Sequence, residues 1–149
     1  MAESKQFCTF YVNSILFGVE VLDVQEVLRY QNMTEVPLAA SEIKGLINLR
    51  GQIITAIDLR NRMKLPPRED DQKPMNVVIQ INNEVVSFLV DSIGDVLEVN
   101  EEIFEKSPHT VDDSSRELVA GVYKLEGNLL MVLDAAKAAN LSDANGTAT

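Results

Sequence analysis

Few of the residues able to do chemistry stand in a pattern that would let them. The single histidine, His109, follows Pro108 with no second histidine and no cysteine pair in metal-ligand spacing, so it reads as a surface-loop residue. The single cysteine, Cys8, cannot form an internal disulfide, and its place in an alternating segment makes it a small buried hydrophobe rather than a reactive thiol. No Gly-x-Ser-x-Gly nucleophile turn, phosphate-binding glycine loop or His-Glu-x-x-His pair occurs. Carboxylates are plentiful, but a pair such as Asp91 and Asp95 is not an acid and a base without a cleft or a displaced pKa. These residues point away from catalysis and from any metal or cofactor. What the side chains offer instead is recognition. Arg50, at the tip of Leu49-Arg50-Gly51-Gln52, can present a planar fork of donors to a carboxylate or carbonyl on another molecule.

The elements that must position such residues occur twice. A shift of 69 residues carries Cys8–Leu28 onto Val77–Leu97 without a gap, placing Asn13 on Asn82, Glu26 on Asp95, Val27 on Val96 and Leu28 on Leu97. A shift of 76 carries Ile43–Asp58 onto Val119–Asp134, placing Gly45 on Gly121, Gly51 on Gly127 and Asp58 on Asp134. The seven extra residues fall between Val99 and Leu118. Self-similarity of this kind marks two copies of one structural unit, so a position where the copies disagree is a candidate for function rather than backbone necessity.

Each copy opens with a hairpin. Gln6–Val12 alternates, with Phe7, Thr9 and Tyr11 on one side and Cys8, Phe10 and Val12 on the other; Asn13-Ser14 turns and Ile15–Val21 returns. Val77–Ile81, Asn82-Asn83 and Val85–Val90 repeat it. Leu22–Tyr30 is expected to be a short helical turn followed by a strand, and its counterpart Ser92–Val99, with Gly94 at its middle, the less regular version. Gly45–Leu49 and Gln52–Ile57 are strands joined by a tight turn in which Gly51, like Gly127, is expected at positive φ. Asp58 and Asp134 are placed to cap short helices.

At 149 residues, 46% of them hydrophobic, the chain can bury a core. A net charge of −10 argues against nucleic acid and anionic membrane as partners. With no apolar run long enough to cross a bilayer and no signal-peptide pattern at Met1–Gln6, a cytoplasmic protein without membrane insertion is expected. Residues 1–149 are read as a single domain: a first β-barrel half over 6–65, a proline-rich connecting loop over 66–74, a second half over 75–141 and a flexible tail over 142–149. Two units of about five short strands suggest an all-β fold of paired small barrels related by an approximate two-fold.

Val24-Gln25-Glu26-Val27, then Ile43-Lys44-Gly45-Leu46-Ile47-Asn48-Leu49-Arg50-Gly51 and Ile57-Asp58-Leu59-Arg60, resemble the CheW family of bacterial chemotaxis adaptors. The likeness continues through Val85-Val86, Val90-Asp91, Asp95-Val96-Leu97, Gly121 and Leu129–Asp134, spanning Gln6 to Leu141. It implies two SH3-like five-stranded barrels with a pseudo-two-fold and short helices, one at the C-terminus. It also implies a non-enzymatic adaptor that couples the cytoplasmic tips of chemoreceptors to the regulatory domain of the histidine kinase CheA, at receptor arrays. By motif position, Val24, Glu26, Gly45, Arg50 and Val96 match sites associated with receptor or kinase coupling. Thr55 departs from the pattern, which often has proline after the Arg-Gly turn; this restores a backbone N–H and leaves the strand's edge geometry open. The alternative of another class is a small-molecule or peptide-binding β-barrel outside chemotaxis.

Each candidate has a plain structural reading beside the functional one. Arg50 is matched by Glu126 in the second copy, so it is either a partner contact or a solvated turn residue. Glu26 and Asp95 both stay acidic; a coupling contact is assigned to Glu26 and a structural role to Asp95. Val24 and Val96 are core residues or the grip on a helical receptor tip, and both readings stand. Recurrence of Gly45 at Gly121 favours a packing constraint.

Overall fold

The computed structural model describes residues 4–69, 71–100, 104–105 and 118–140. In chain order these form β1 (Ser4–Val12), β2 (Ile15–Glu20), a 3-10 turn (Val21–Asp23), β3 (Val24–Leu28), β4 (Ile43–Leu49), β5 (Gln52–Asp58) and α1 (Leu59–Arg62). Then come β6 (Met75–Ile81), β7 (Glu84–Val90), β8 (Ser92–Asn100), β9 (Phe104–Glu105), β10 (Val119–Leu125), β11 (Asn128–Leu133) and α2 (Ala135–Ala139). The fold is all-β, as expected. His109, most of the insertion around it and the tail 142–149 lie outside the described residues.

The sheets do not divide where the sequence suggested. One runs β3-β6-β7-β5-β4, and the other runs β8-β1-β2-β11-β10 with the two-residue β9 added at its edge. Halves bounded at 6–65 and 75–141 are therefore corrected: the opening hairpin of each copy is built into the sheet of the other. The exchange is reciprocal, and it preserves the repeat pair by pair. Phe10 faces Ile93 across β1 and β8 as Ile79 faces Val24 across β6 and β3. Phe17 lies beside Met131 in a parallel pair as Val86 lies beside Thr55. An approximate two-fold thus relates two units, each drawn from both copies.

Alternation along the exchanged hairpins explains how they serve two cores at once. Phe10, Val12, Phe17 and Val19 from one hairpin and Val77, Ile79, Val86 and Phe88 from the other meet in one buried cluster shared by the two sheets. The opposite faces enter separate interiors. Phe7 and Leu16 pack with Val99, Tyr123 and Leu130, while Val78 packs with Ile47 and Ile54. These strands are buried on both sides, which is why they read as nearly unbroken apolar runs. Residues of both ends of each sheet enter its interior: Leu97 packs against the cluster that contains Tyr123, and Leu28 against the one that contains Ile47.

The two interiors differ by paired changes, an apolar pair in one and a hydrogen-bonded polar pair in the other. Where the first hairpin has Phe7 beside Gly18, the second has Asn76 and Ser87, whose hydroxyl donates to Asn76 Oδ1 at 2.7 Å. A Cβ on Gly18 would stand 3.0 Å from Leu130 Cδ1 and 3.3 Å from Phe7 Cβ, so the large ring requires the small neighbour.

β8 corrects the expectation of an irregular segment around Gly94. It is a continuous nine-residue strand. A Cβ at position 94 would lie 2.5 Å from Thr9 Oγ1, so the glycine answers to close packing on β1 rather than to a break. Thr55 falls in β5, which is paired on both sides, so its N–H belongs to an interior strand rather than an edge.

Candidate interaction surface

The β4–β5 hairpin ends in Arg50 (φ 52) and Gly51 (φ 87), both left-handed, as a two-residue turn between Leu49 and Gln52 requires. Asn48 Oδ1 accepts from the Gly51 N–H at 3.0 Å and braces the tip. In the image turn, Glu126-Gly127, only the glycine is left-handed (φ 81). The expected positive φ is therefore found at both Gly51 and Gly127, and the two tips differ in backbone as well as charge.

The braced tip sets Arg50 against Glu26 on the facing edge strand β3, and the guanidinium Nη2 forms an ion pair with Glu26 Oε2. Arg50 remains 67% exposed, so its other donors are open to solvent. The image positions, Glu126 and Asp95, are both acidic and cannot make such a pair. Asp95 instead lends its backbone carbonyl to the Thr9 hydroxyl, a structural contact between β8 and β1.

Of the other sequence candidates, Val24 shares β3 with Glu26 and is half-buried against the common core. Gly45, on β4, sits beneath the Met33-Thr34 backbone: a Cβ there would be 2.7 Å from the Thr34 carbonyl oxygen, at the place where Thr34 and Leu46 exchange backbone hydrogen bonds. Val96 belongs to the other sheet, on edge strand β8, and is 57% exposed. Hence the structure joins Glu26 and Arg50, sets Val24 and Gly45 in the same sheet, and leaves Val96 apart from them.

Val96 apart, two features escaped the sequence. Val27 and Ile53 in one sheet and their images Val96 and Leu129 in the other are exposed, so each unit presents the same two apolar side chains to solvent. Their signal was an apolar type at matched positions in both copies. The second is an ionic cluster around Asp91, which follows β7. Arg60, the second residue of α1, reaches Asp91 with Nη2 at 2.6 Å and Nε at 3.0 Å. Arg68, in the connecting loop, donates from Nη1 to Asp58 Oδ1 at 2.9 Å and from Nη2 to the Leu89 carbonyl at 3.2 Å. Its Nε stands 2.8 Å from Asp91 Oδ1 but out of line for a hydrogen bond, so that contact is one of charge alone.

Asp91 also accepts from the Asn13 N–H at 2.7 Å, tying the first hairpin's turn to the opposite sheet. Burial by itself would raise this carboxyl's pKa. The hydrogen bonds from Arg60 and Asn13, with the charges of Arg68 and Arg60, outweigh it and hold the group below the usual carboxylate range. The Asp91 bond is also the main reason the Arg60 guanidinium is held above its ordinary value. Burial pushes the Cys8 thiol up, which leaves little thiolate at neutral pH.

No group of three or more His, Cys, Asp or Glu side chains among the described residues is arranged to hold a metal ion. Nor is any helix there long and apolar enough to cross a membrane. The Arg50–Glu26 pair and the exposed apolar pairs lie on outer faces and strand edges around shared cores. Duplicated, hairpin-exchanged β units with diverged tips define the class of fold.

The CheW-like domain model matches residues 6–142, and the chain belongs to that family. It is 31% identical over 131 residues to the chemotaxis protein CheW of Bacillus subtilis, covering 88% of this chain and 84% of that protein. A probable chemotaxis protein CheW of Rhizobium etli is 26% identical over 87% of this chain and 84% of its own length. Among solved structures, the scaffolding protein TtCheW from Thermoanaerobacter tengcongensis superimposes with a TM-score of 0.79 at 27% identity, covering 89% of this chain and 90% of that one. The protein is a chemotaxis scaffold of the CheW family and not an enzyme.

Proposed function

We propose that this scaffold couples the cytoplasmic tips of chemoreceptors to the regulatory domain of the histidine kinase CheA and is recruited with them to membrane-associated arrays. The observation that carries the reading is the divergence of the two tips: one offers Arg50 steadied by Glu26, the other an acid at each equivalent place. One rigid body with two unlike faces can hold two unlike partners at a set distance. Val24, Glu26, Gly45, Arg50 and Val96 are assigned to this coupling, with Gly45 acting through the backbone it packs on. The exposed pairs Val27 with Ile53 and Val96 with Leu129 suit contact with another β-barrel, such as the kinase regulatory domain.

Coupling requires more than tight binding, because a scaffold with equal affinity for both signalling states of its partners would shift neither. The test is sizing chromatography of the full chain with a receptor cytoplasmic fragment and with the CheA regulatory domain. Co-elution with both supports the coupling, and elution apart from both removes it.

A further inference from the structure

The pseudo-two-fold carries the ionic cluster onto a second location where its filling side chains are missing. Asp58 maps to Asp134 and Asn13 to Asn82, but Arg60 maps to Ala136 and Asp91 to Leu22. The first location is occupied by Arg60 and by Arg68 from the following loop. At the second, a cleft of about 340 Å³ opens between Glu20, Asp23, Asn82, Val132, Asp134 and Ala136. It adjoins another of about 560 Å³, where Ala139 stands at the image of the buried Met63.

The internal repeat also states what the acceptors there can hold. Arg68 binds the Asp58 carboxylate and the Leu89 carbonyl, and the same operation turns these into the Asp134 carboxylate and the Glu20 carbonyl, both on the cleft wall. Asp58 caps α1 through the Arg60 N–H while holding Arg68, so Asp134, which caps α2 through the Lys137 N–H, keeps room for a guanidinium. Glu20 and Asp23 add negative charge at the rim, and no ion pair joins Glu20, Asp23 or Asp134 to a cation among the described residues. Leu22, between those two acids, is 94% exposed, so an apolar group belongs beside the charge.

We propose that the cleft between β2, the β6–β7 turn and α2 is a docking notch for an arginine of a partner protein, carried on a segment whose adjoining aliphatic side chain covers Leu22 and Ala136. The chain fills the first notch with its own loop, and among the described residues no cation fills the second. This stands independently of the coupling residues, since none of them lines the cleft.

The probe is a capped peptide of this chain's residues 63–69, Met-Lys-Leu-Pro-Pro-Arg-Glu, titrated into the full protein while amide resonances are followed by NMR. Saturable shifts at Glu20, Asn82 and Ala136 are expected. Replacing the peptide's arginine by neutral citrulline should weaken binding about tenfold or more, because a charge-assisted bond is lost. Ala136→Arg, which imitates the first location, should abolish binding at an unchanged thermal midpoint. The exposed double change Glu20→Gln with Asp23→Asn should weaken binding in a protein whose backbone contacts are untouched. The proposal is overturned by an absence of shifts at millimolar peptide, by equal binding of the citrulline peptide, or by binding that survives these substitutions. Self-association of the protein abolished by Ala136→Arg would also overturn it, by making a second copy the occupant.

Discussion

Arg50 and Glu26 show how one residue's role depends on what it touches. Exposed ion pairs contribute little stability, so Arg50→Glu should cost less than about 1 kcal/mol even with two acids now facing each other. Its effect on receptor co-elution should be far larger. The exchange Arg50→Glu with Glu26→Arg separates contact from positioning: it restores the internal pair but inverts what a partner meets. Stability should recover and coupling should not; recovered coupling would mean that the pair acts by holding the hairpin tip. Asp91 behaves differently because it is largely enclosed. Its folded pKa lies below the unfolded value, so its stabilisation is fully present above about pH 4 and fades as pH falls through the folded pKa. Asp91→Asn should destabilise by about 2 kcal/mol at neutral pH, leaving Arg60 and Arg68 short of a counter-charge, and should flatten the acid limb of urea unfolding. An acid limb identical to the wild type's would assign that pH dependence elsewhere.

Among the elements, the hairpins were legible and their tips instructive. Asn-Ser, Asn-Asn and Arg-Gly are left-handed at both bend residues and Glu-Gly at its glycine alone, and Asp58 and Asp134 cap the short helices that follow the later two. Gly51→Val should lower stability by about 1 kcal/mol from left-handed strain alone, because nothing lies within 4 Å of its would-be Cβ. Gly45→Ala works by the opposite cause. Its methyl would press into the Thr34 carbonyl, costing about 2 kcal/mol and shifting the strand that carries Arg50. Thermal midpoints of the two variants, compared with hydrogen exchange at the Leu46 and Thr34 amides, distinguish strain confined to a tip from displacement of a strand. Exchange unchanged in Gly45→Ala would contradict the packing account.

For the whole molecule, reciprocal exchange of hairpins means that neither copy is a domain. Cleavage of the full protein within 66–74 should leave two fragments that co-elute in native buffer, because each sheet contains strands from both sides of the cut. Separation without denaturant would contradict the interleaved sheets. The same arrangement ties the two units together: Phe10 and Phe17 from one hairpin and Ile79 and Phe88 from the other share one core, while each tip adjoins its own separate interior.

The duplication, the strand periods, the turns and the family likeness were all determined by the amino-acid sequence, because each depends on neighbours within a few residues or on direct comparison of the copies. Partnership between the copies was not. Gly45 and Gly121 recur in both copies, yet only the folded chain reveals that Gly45 lies under Thr34; Arg50 and Glu26 were both singled out, yet not as a pair. Arg68, hidden in a polar loop, gave no local sign of entering a buried cluster. A hairpin with two apolar faces can satisfy them in either of two like sheets, and alternation along the strand is the same in both. Which sheet takes each hairpin is a long-range choice, visible only in the folded chain through pairings such as Phe10 with Ile93 and Ile79 with Val24.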